Sequence, residues 1–357
     1  MTPLARILAR RIAATGPIGI ADFMADCLMH PEHGYYSTRD PFGETGDFTT
    51  APEISQMFGE LLGLWLAQVW LDQGAPAPFV LAELGPGRGT LMADLWRATK
   101  RVPGFHAGAR IHLVETSPHL RARQRQALPG LDIAWIDSAA PLPDAPLFVI
   151  ANEFFDALPI RQFQRDPAGW RERLVGLEDD RLTLGLSAPL PLAALDHRLA
   201  DTEPGDIVET CAPACAIVET LAARIAARGG AALIVDYGGW HSLGDTLQAL
   251  RAHRPEPPLA HPGEADLTAH VDFEALARAA RTVEGVRVSG PTPQGVLLER
   301  LGIAARAQAL AQNLAGAALR SHIAAHRRLT HPEEMGTLFQ TLALTPARAP
   351  DPPGLRS

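Results

Sequence analysis

The sequence has few of the residues that mark specialised classes of protein. Its three cysteines, Cys27, Cys211 and Cys215, are too few for a disulfide framework, which favours a reducing compartment. Lys100 is the only lysine, and no basic run alternates with aromatic residues, so we expect no nucleic-acid partner. No uninterrupted apolar stretch is long enough to span a bilayer, so we expect no membrane insertion. These absences fit a globular protein of the cytoplasm.

Residues that can bind metals are present, but they lack the spacing of a metal site. Cys211 and Cys215 lie where a helix is expected to begin, without a second pair of ligands. His261 and His270 flank acidic residues in a proline-rich stretch, where loop histidines without a ligand are the simpler interpretation. We therefore expect no metal.

The first fourteen residues are rich in arginine and contain no acid, as in a mitochondrial transit peptide. Their apolar residues Leu4, Ile7 and Leu8 recur at helical spacing, and the chain continues directly into motif-bearing sequence. We therefore expect an amphipathic helix of the folded protein there.

The stretch Phe79–Leu91 combines an apolar run, one acid and a glycine turn before a helical pattern. This arrangement is typical of a nucleotide-type cofactor site, because glycines let the backbone approach a ligand and the new helix presents free N–H groups. Gly85, Gly87 and Gly89 follow Glu83 with the spacing G-x-G-x-G, whereas dinucleotide-binding folds have G-x-G-x-x-G. The spacing resembles the first motif of class I S-adenosylmethionine (SAM) methyltransferases. An ordinary glycine turn of an α/β protein is the alternative.

From Phe79 onward, short apolar runs alternate with helical patterns, which predicts parallel strands joined by crossover helices. Five strands are predicted at Phe79–Leu84, Arg110–Glu115, Ile133–Asp137, Leu147–Asn152 and Ala231–Tyr237. Two closing strands are expected at Val286–Gly290 and Gln294–Leu298, and residues 253–272 are expected to form a long loop. The chain has 357 residues, enough for one large domain with insertions or for two.

Acids lie at the ends of these predicted strands, where open α/β sheets bind their ligands. Glu115 ends the second strand and can accept hydrogen bonds from both ribose hydroxyls of a nucleoside. Asp137 ends the third strand and can accept the adenine amino group. Glu83, or Asp47 from an earlier loop, can hold the amino group of SAM. Asp236 ends the fifth strand, where a solvated loop residue or a helix cap is the simpler interpretation.

Nine segments together resemble the MidA family of class I methyltransferases, which includes a mitochondrial protein-arginine methyltransferase. They are GYY at Gly34–Tyr36, GDFTTAPEIS at Gly46–Ser55, ELGPGRGTLMADL at Glu83–Leu95, VETSPHLRARQ at Val114–Gln124, NEFFDALPIRQF at Asn152–Phe163, DYG at Asp236–Gly238, GDTLQAL at Gly244–Leu250, PGEADLTAHVDF at Pro262–Phe273 and QGVLLERLGI at Gln294–Ile303. The resemblance implies a Rossmann-like α/β core with a seven-stranded, mostly parallel sheet, an N-terminal helical segment and inserted α/β segments. It also implies SAM as the cofactor.

The resemblance implies a protein partner as well. The mitochondrial member of the family acts as an assembly factor of respiratory complex I, the NADH:quinone oxidoreductase. A bacterial, cytoplasmic relative is therefore expected to dimethylate an arginine in a subunit of that complex. The sequence gives no oligomeric state.

Four parts of the chain are expected from these features. They are an N-terminal helical segment with a cofactor-covering loop at 1–75, the SAM-binding core at 76–300 with insertions at 154–210 and 240–285, a C-terminal helical segment at 301–344 and a disordered tail at 345–357.

The loop after the fourth strand is the expected place for the acceptor. An arginine guanidinium stays protonated in proteins, so carboxylates that bind it can neutralise its charge and orient one nitrogen. Glu153 is the first candidate and Asp156 the second, and Asn152 supplies a further polar group that also borders the cofactor.

The earlier loop at residues 46–55 is expected to cover the cofactor. Asp47, Thr49, Thr50 and Glu53 would face it. For Glu53, a favourable charge at a helix N-terminus is the alternative.

Two other functions stay open. A SAM-binding core could methylate a small molecule or another side chain, and a non-catalytic protein of this family could bind or help to assemble complex I. A nicotinamide dehydrogenase is disfavoured by the glycine spacing.

Overall fold

The computed structural model describes residues 1–38 and 50–355. The chain forms two structural units. The first consists of Met1–Phe48, Asp156–Ala214 and His241–Asp272, and the second consists of Thr49–Phe155, Cys215–Trp240 and Phe273–Ser357. Both insertions expected in the core, and much of the expected N-terminal segment, thus contribute residues to the first unit.

Seven strands of the second unit pair in one sheet and are labelled in chain order. They are β1 (Phe79–Leu84), β2 (Ala109–Val114), β3 (Ile133–Ile136), β4 (Leu147–Asn152), β5 (Gly230–Gly239), β6 (Val286–Pro293) and β7 (Phe339–Pro346). Their order is β3-β2-β1-β4-β5-β7-β6. Neighbours among β1 to β5 are parallel, and β7 is antiparallel to both β5 and β6. The expected seven-stranded, mostly parallel sheet is confirmed.

The apolar runs of β1 and β4 are buried at every residue, as expected for strands covered on both faces. Helix Gln56–Asp72 packs closely on helix Thr90–Thr99, since a Cβ on Gly63 would lie 2.8 Å from the Leu95 backbone. The remaining helices of this unit are Ala51–Ile54, Phe105–Gly108, Pro118–Ala127, Phe273–Arg281, Gln294–Arg300, Ile303–Ala311, Gly316–Thr330 and a π-helical turn at Pro332–Gly336. Helix Ala212–Arg228 begins in the first unit and continues in the second.

The first unit contains antiparallel sheets and helices. One sheet has the strands Ile18–Gly19, Gly169–Glu178, Arg161–Asp166 and Ile207–Thr210 in spatial order, with Arg181–Leu186 paired to Gly169–Glu178. A smaller sheet has the order Arg254–Glu256, Gln248–Arg251 and Asp266–Thr268, and Val271–Asp272 is a further short strand. Among the described residues of this unit, the helices are Pro3–Thr15, Ile20–Met29, Tyr35–Thr38 and the 3-10 helix Ala193–Arg198.

Helix Pro3–Thr15 is the amphipathic helix expected at the N-terminus. It begins at Thr2, whose hydroxyl accepts the Ala5 N–H at 3.0 Å. Leu4, Leu8 and Ile12 are buried in the core of the first unit. Within residues 1–38 and 50–355, no helix has the length and apolar character needed to cross a membrane.

Three expectations about secondary structure are wrong. The predicted closing strand Gln294–Leu298 is the helix Gln294–Arg300, and β7 instead comes from the segment expected to be helical. A short apolar run does not distinguish a strand from a helix, so periodicity alone could not settle this point. Residues 253–272 were expected to be a loop, but they include strands that are held by backbone pairing to Gln248–Arg251.

The expected disordered tail is packed over its described residues. Its residue Leu355 is buried in the core of the second unit, and the Trp65 indole N–H donates to the Pro353 carbonyl at 2.9 Å. Arg300 donates to the Gly354 carbonyl at 2.7 Å. Composition alone suggested disorder, whereas one apolar side chain and several backbone acceptors fix the segment.

A chain that ends after Pro346 should unfold at a lower temperature than the full chain. Loss of the buried Leu355 side chain and of the acceptor for Trp65 should cost roughly 1–3 kcal/mol, after allowance for the entropy of ordering the tail. Scanning calorimetry measures the difference, and Trp65→Phe should have a smaller effect in the shortened chain than in the full one. Equal melting temperatures for the two chain lengths would contradict this role of the tail.

Candidate functional site

The glycine turn follows β1 and begins the helix Thr90–Thr99. Gly85, Gly87 and Gly89 have φ angles of +63°, +51° and +85°, a region of backbone conformation that favours glycine. The Gly85 N–H donates to the carbonyl of Val114 at the end of β2, at 3.0 Å. A Cβ on Gly85 would lie 2.8 Å from the Phe154 ring, so the turn lies directly against the loop that follows β4.

Glu83 is buried at the end of β1, with 3% of its surface exposed. Burial raises the pKa of its carboxyl to about 8, although the backbone N–H of Met92 favours the ionised form. Glu83 Oε2 and the buried Asn152 Oδ1 have no hydrogen-bond partner within residues 1–38 and 50–355. Buried oxygens of this kind suit a ligand with an amino group and hydroxyls, which SAM has.

Glu115 follows β2 and is also buried. Its Oε1 accepts the Ser117 N–H at 2.8 Å, and its Oε2 accepts a hydrogen bond from Gln124 at 3.3 Å. Burial raises the pKa of the Glu115 carboxyl, and these donors oppose the rise. These hydrogen bonds therefore fix the orientation of the Glu115 carboxylate. It lies at the edge of the sheet where β1 to β5 end, which we call the carboxyl edge.

Asp137 follows β3 at the same carboxyl edge, but its side chain is 82% exposed. Its carboxylate pairs with Arg121 at 2.6 Å. Arg121 Nε also donates to the backbone carbonyl of Glu115 at 2.8 Å. One guanidinium thus links the ends of β2 and β3, and the adenine contact of Asp137 stays a prediction.

Glu153 follows Asn152, the last residue of β4, and has a φ angle of +49°, which is strained for a residue other than glycine. Its Oε1 accepts the Ala51 N–H at 3.0 Å and the Asn152 side-chain N–H at 3.1 Å. Burial raises the pKa of Glu153 to about 7, while these hydrogen bonds and the positive charge of Arg328 oppose the rise. The residue is therefore poised to change its ionisation near neutral pH.

Two of the residues predicted to cover the cofactor are described. Thr50 directly precedes the helix Ala51–Ile54, and Glu53 in that helix accepts a hydrogen bond from the Thr90 hydroxyl. Glu53 is thus tied to the first residue of the helix after the glycine turn and is more than a helix-terminal charge. Asp47 and Thr49 lie outside the described residues.

Asp156 belongs to the first unit and is buried there. Its backbone carbonyl accepts the Ala269 N–H at 3.0 Å. Burial is the main cause that raises the pKa of the Tyr36 hydroxyl well above its ordinary value, and the negative charges of Asp266 and Asp156 add to the rise. The Tyr36 hydroxyl also donates to Asp266 at 2.9 Å. The structure thus places Asp156 with two residues from other matched segments, and its catalytic role stays a prediction.

Asp236 has a role that the sequence reasoning missed. It is fully buried, so the expected solvated loop residue is wrong. Its Oδ2 accepts the backbone N–H groups of Phe154 and Phe155 at 3.2 and 2.9 Å, and its Oδ1 accepts the Tyr237 N–H at 3.0 Å. A carboxylate on β5 therefore shapes the loop that carries Glu153. The sequence alone does not reveal this role, because it depends on β5 lying beside β4 in the sheet.

The potential metal ligands do not converge in the part of the chain that the structure describes. No group of three or more His, Cys, Asp or Glu side chains there could hold a metal ion. His261 Nδ1 instead lies 3.0 Å from Glu256.

Comparison with known proteins agrees with this geometry. Residues 61–292 match the family described as "Putative S-adenosyl-L-methionine-dependent methyltransferase". The human "Protein arginine methyltransferase NDUFAF7, mitochondrial" is 37% identical, over 97% of this chain and 84% of the relative, and the Danio rerio protein of that name is 40% identical over 93% and 84%. A crystal structure from Burkholderia thailandensis, bound to S-adenosyl-homocysteine, has a TM-score of 0.83 and 31% identity, over 99% of this chain and 95% of that chain.

Asp236→Asn should lower the melting temperature of the protein. The amide keeps one acceptor but turns an NH2 group toward backbone N–H groups, so a buried donor loses its partner at a cost of about 1–3 kcal/mol. Thermal unfolding followed by circular dichroism measures the change. Asp144→Asn, in an exposed ion pair with Arg228, is the control and should leave the melting temperature almost unchanged. Equal melting temperatures for the two variants would contradict the role of Asp236.

The ligand-free protein should lose stability as pH rises from about 5 to about 8. The pKa of Glu83 is raised from 4.5 to about 8, so its protonated form contributes stability below pH 4.5 that is lost as pH rises through 8. Glu83→Gln should flatten this dependence by a few kcal/mol, since one pKa unit corresponds to about 1.4 kcal/mol. Unfolding in denaturant at several pH values measures it, with Asp144→Asn again as the control. Parallel pH profiles of wild type and Glu83→Gln would refute the assignment.

Proposed function

The chain belongs to the family of S-adenosyl-L-methionine-dependent methyltransferases, and we propose that its methyl acceptor is an arginine side chain of a protein. SAM is its cofactor, and methyl transfer is its reaction. The observation that carries the choice of arginine is Glu153, a half-buried carboxylate in a strained backbone conformation, held by the Ala51 N–H in the loop that packs on the glycine turn through Phe154. Relatives named as protein arginine methyltransferases support the same choice.

The residues of the carboxyl edge fit the groups of SAM. Glu83 and Asn152 would accept from the amino group, Glu115 from the ribose hydroxyls and Asp137 from the adenine amino group. The glycine turn would lie against the methionine part, because its backbone leaves room there. Bound SAM supplies a methyl group on a positively charged sulfur.

The covering loop completes the proposed cofactor site. Thr50 and Glu53 would face the cofactor from the segment that begins the helix Ala51–Ile54. Asp47 and Thr49 are proposed for the same role from the sequence alone.

Glu153 would act on the acceptor in two ways. Its carboxylate would bind the guanidinium, lower the repulsion between two cations and aim one nitrogen at the methyl carbon. The nitrogen forms its bond to carbon as the carbon–sulfur electron pair returns to sulfur, so one N–H proton has to leave. A carboxylate whose pKa is about 7 can accept that proton at neutral pH. Asn152 would orient Glu153 through its 3.1 Å hydrogen bond, and Asp156 is the second candidate for guanidinium binding.

We further propose that the protein substrate is a subunit of the respiratory NADH:quinone oxidoreductase, as the resemblance implies. Incubation with methyl-labelled SAM and the purified complex, followed by mass spectrometry of its peptides, tests this substrate. Dimethylated arginine in one subunit would support it. Transfer to small molecules only, or to no arginine, would overturn it.

Glu153→Gln should strongly slow turnover while the protein still binds the cofactor. Loss of the ionised carboxylate should lower kcat by roughly 100- to 1,000-fold, since one preorganised electrostatic contact has about this effect. The dissociation constant of S-adenosylhomocysteine should change by less than about twofold, because the amide keeps the shape and one acceptor of the side chain. Calorimetry and a methyl-transfer assay measure the two quantities.

The pH dependence provides a second readout for the same variant. In wild type, kcat/KM should rise with pH through the pKa of Glu153 in the free protein, about 7, because the ionised form is the active one. The pH profile of Glu153→Gln should lack this rise. Glu178→Gln, at an exposed position of a hairpin, is the matched control and should behave as wild type. Turnover equal to that of wild type in Glu153→Gln would overturn the catalytic role of Glu153.

A further inference from the structure

The side chain of Gln124 joins three parts of the second unit. Its Nε2 donates to the carbonyl of Gly87 in the glycine turn at 2.8 Å and to Glu115 Oε2 at 3.3 Å. Its Oε1 accepts the indole N–H of Trp135 on β3 at 2.8 Å. Gln124 is completely buried within helix Pro118–Ala127. A polar side chain at such a position commits all of its groups to partners inside the protein.

These partners fix the orientation of the Gln124 amide. The Trp135 indole can only donate a hydrogen bond, and the Gly87 carbonyl can only accept one. The amide oxygen must therefore face Trp135, and the amide nitrogen must face Gly87 and Glu115. No flip of the amide satisfies the same partners.

The Glu115 carboxylate is held from two sides as a result. The Ser117 N–H binds Oε1 at 2.8 Å, and the Gln124 amide binds Oε2. Both donors favour the ionised carboxylate, which burial alone disfavours. The same amide fixes the Gly87 carbonyl, so the carboxylate and the glycine turn keep one relative position.

We propose that Gln124 is a positioning residue for the nucleoside part of the cofactor. It acts through Glu115, which it orients toward the ribose hydroxyls and keeps in register with the glycine turn. This inference rests on the proposed role of Glu115 as the acceptor of those hydroxyls. Trp135 has a supporting role, because its indole holds the amide in the required orientation.

The test compares two ligands that differ only in the ribose. Wild type and Gln124→Met are titrated by calorimetry with S-adenosylhomocysteine and with its 2′,3′-dideoxy analogue. Methionine keeps the volume of glutamine and removes its hydrogen bonds. The variant should bind S-adenosylhomocysteine roughly tenfold more weakly, as expected for a lost bond to a charged group. It should bind the dideoxy analogue within about twofold of wild type, because that ligand makes no ribose contact with Glu115.

Two further variants separate positioning from a general loss of stability. Trp135→Phe removes the hydrogen bond that orients the amide, along with part of the ring system that Arg125 covers at 4.5 Å. It leaves Gln124 itself in place, so it should show a smaller loss with the same ligand selectivity. Leu344→Ala opens the core at β7, which β5, β4 and β1 separate from β2 in the sheet. It should lower the melting temperature without any ligand selectivity. If Gln124→Met does not fold, the affinities of Trp135→Phe for the two ligands test the positioning role instead.

Each alternative outcome overturns a defined part of the inference. If Gln124→Met bound both ligands more weakly by the same factor, Gln124 would be a structural residue only. If the variant bound both ligands as tightly as wild type, Gln124 would have no role in cofactor binding. If wild type bound both ligands equally, Glu115 would not hold the ribose, and the inference would fail while the methyltransferase assignment remained. A wild-type protein without affinity for S-adenosylhomocysteine would overturn the proposed function as well.

Discussion

Burial of carboxylates at the carboxyl edge is the constraint on which the rest of the site depends. Glu83, Glu115 and Glu153 lie where parallel strands end, and burial raises the pKa of each. An isolated buried carboxylate is costly, so each needs protein donors or a proton until a ligand supplies the missing charge. A cationic ligand then gains most from the site, because it removes a cost that the ligand-free protein already carries. The site therefore favours a cation such as a sulfonium, an ammonium or a guanidinium over a phosphate.

A second layer of buried polar groups holds these carboxylates in place. Asp236 fixes the loop after β4 through two backbone N–H groups, and Gln124 fixes Glu115 and the glycine turn through one amide. Neither contact buries additional apolar surface. Both place polar atoms in the protein interior, where a missing hydrogen bond would destabilise the fold. Their arrangement is understandable as the means of keeping the acidic edge rigid, which a reaction with in-line geometry requires.

The sequence predicted the centre of the fold better than its periphery. β1 and β4 have the predicted bounds, because a run of apolar residues buried on both faces admits few alternatives. β7 was missed, since its apolar and polar residues do not alternate strictly, and the short run at Gln294–Leu298 suited a helix as well. Gln124 lay inside a recognised segment without being singled out. Its function depends on what a helix faces after folding, and a linear pattern does not contain that information.

The ionisation of Glu153 connects the stability of the site with its chemistry. A carboxyl with a pKa of about 7 can stay largely neutral while the acceptor is absent, which limits the cost of its burial. Arrival of a guanidinium would lower that pKa and ionise the group at the moment when its charge is useful. In the proposed reaction, transfer of the methyl group would then leave a proton to be accepted, and the carboxylate would already be in contact with the nitrogen that releases it. A permanently ionised acid could accept the proton but would destabilise the ligand-free loop. An amide would leave the ligand-free loop stable but could not accept the proton.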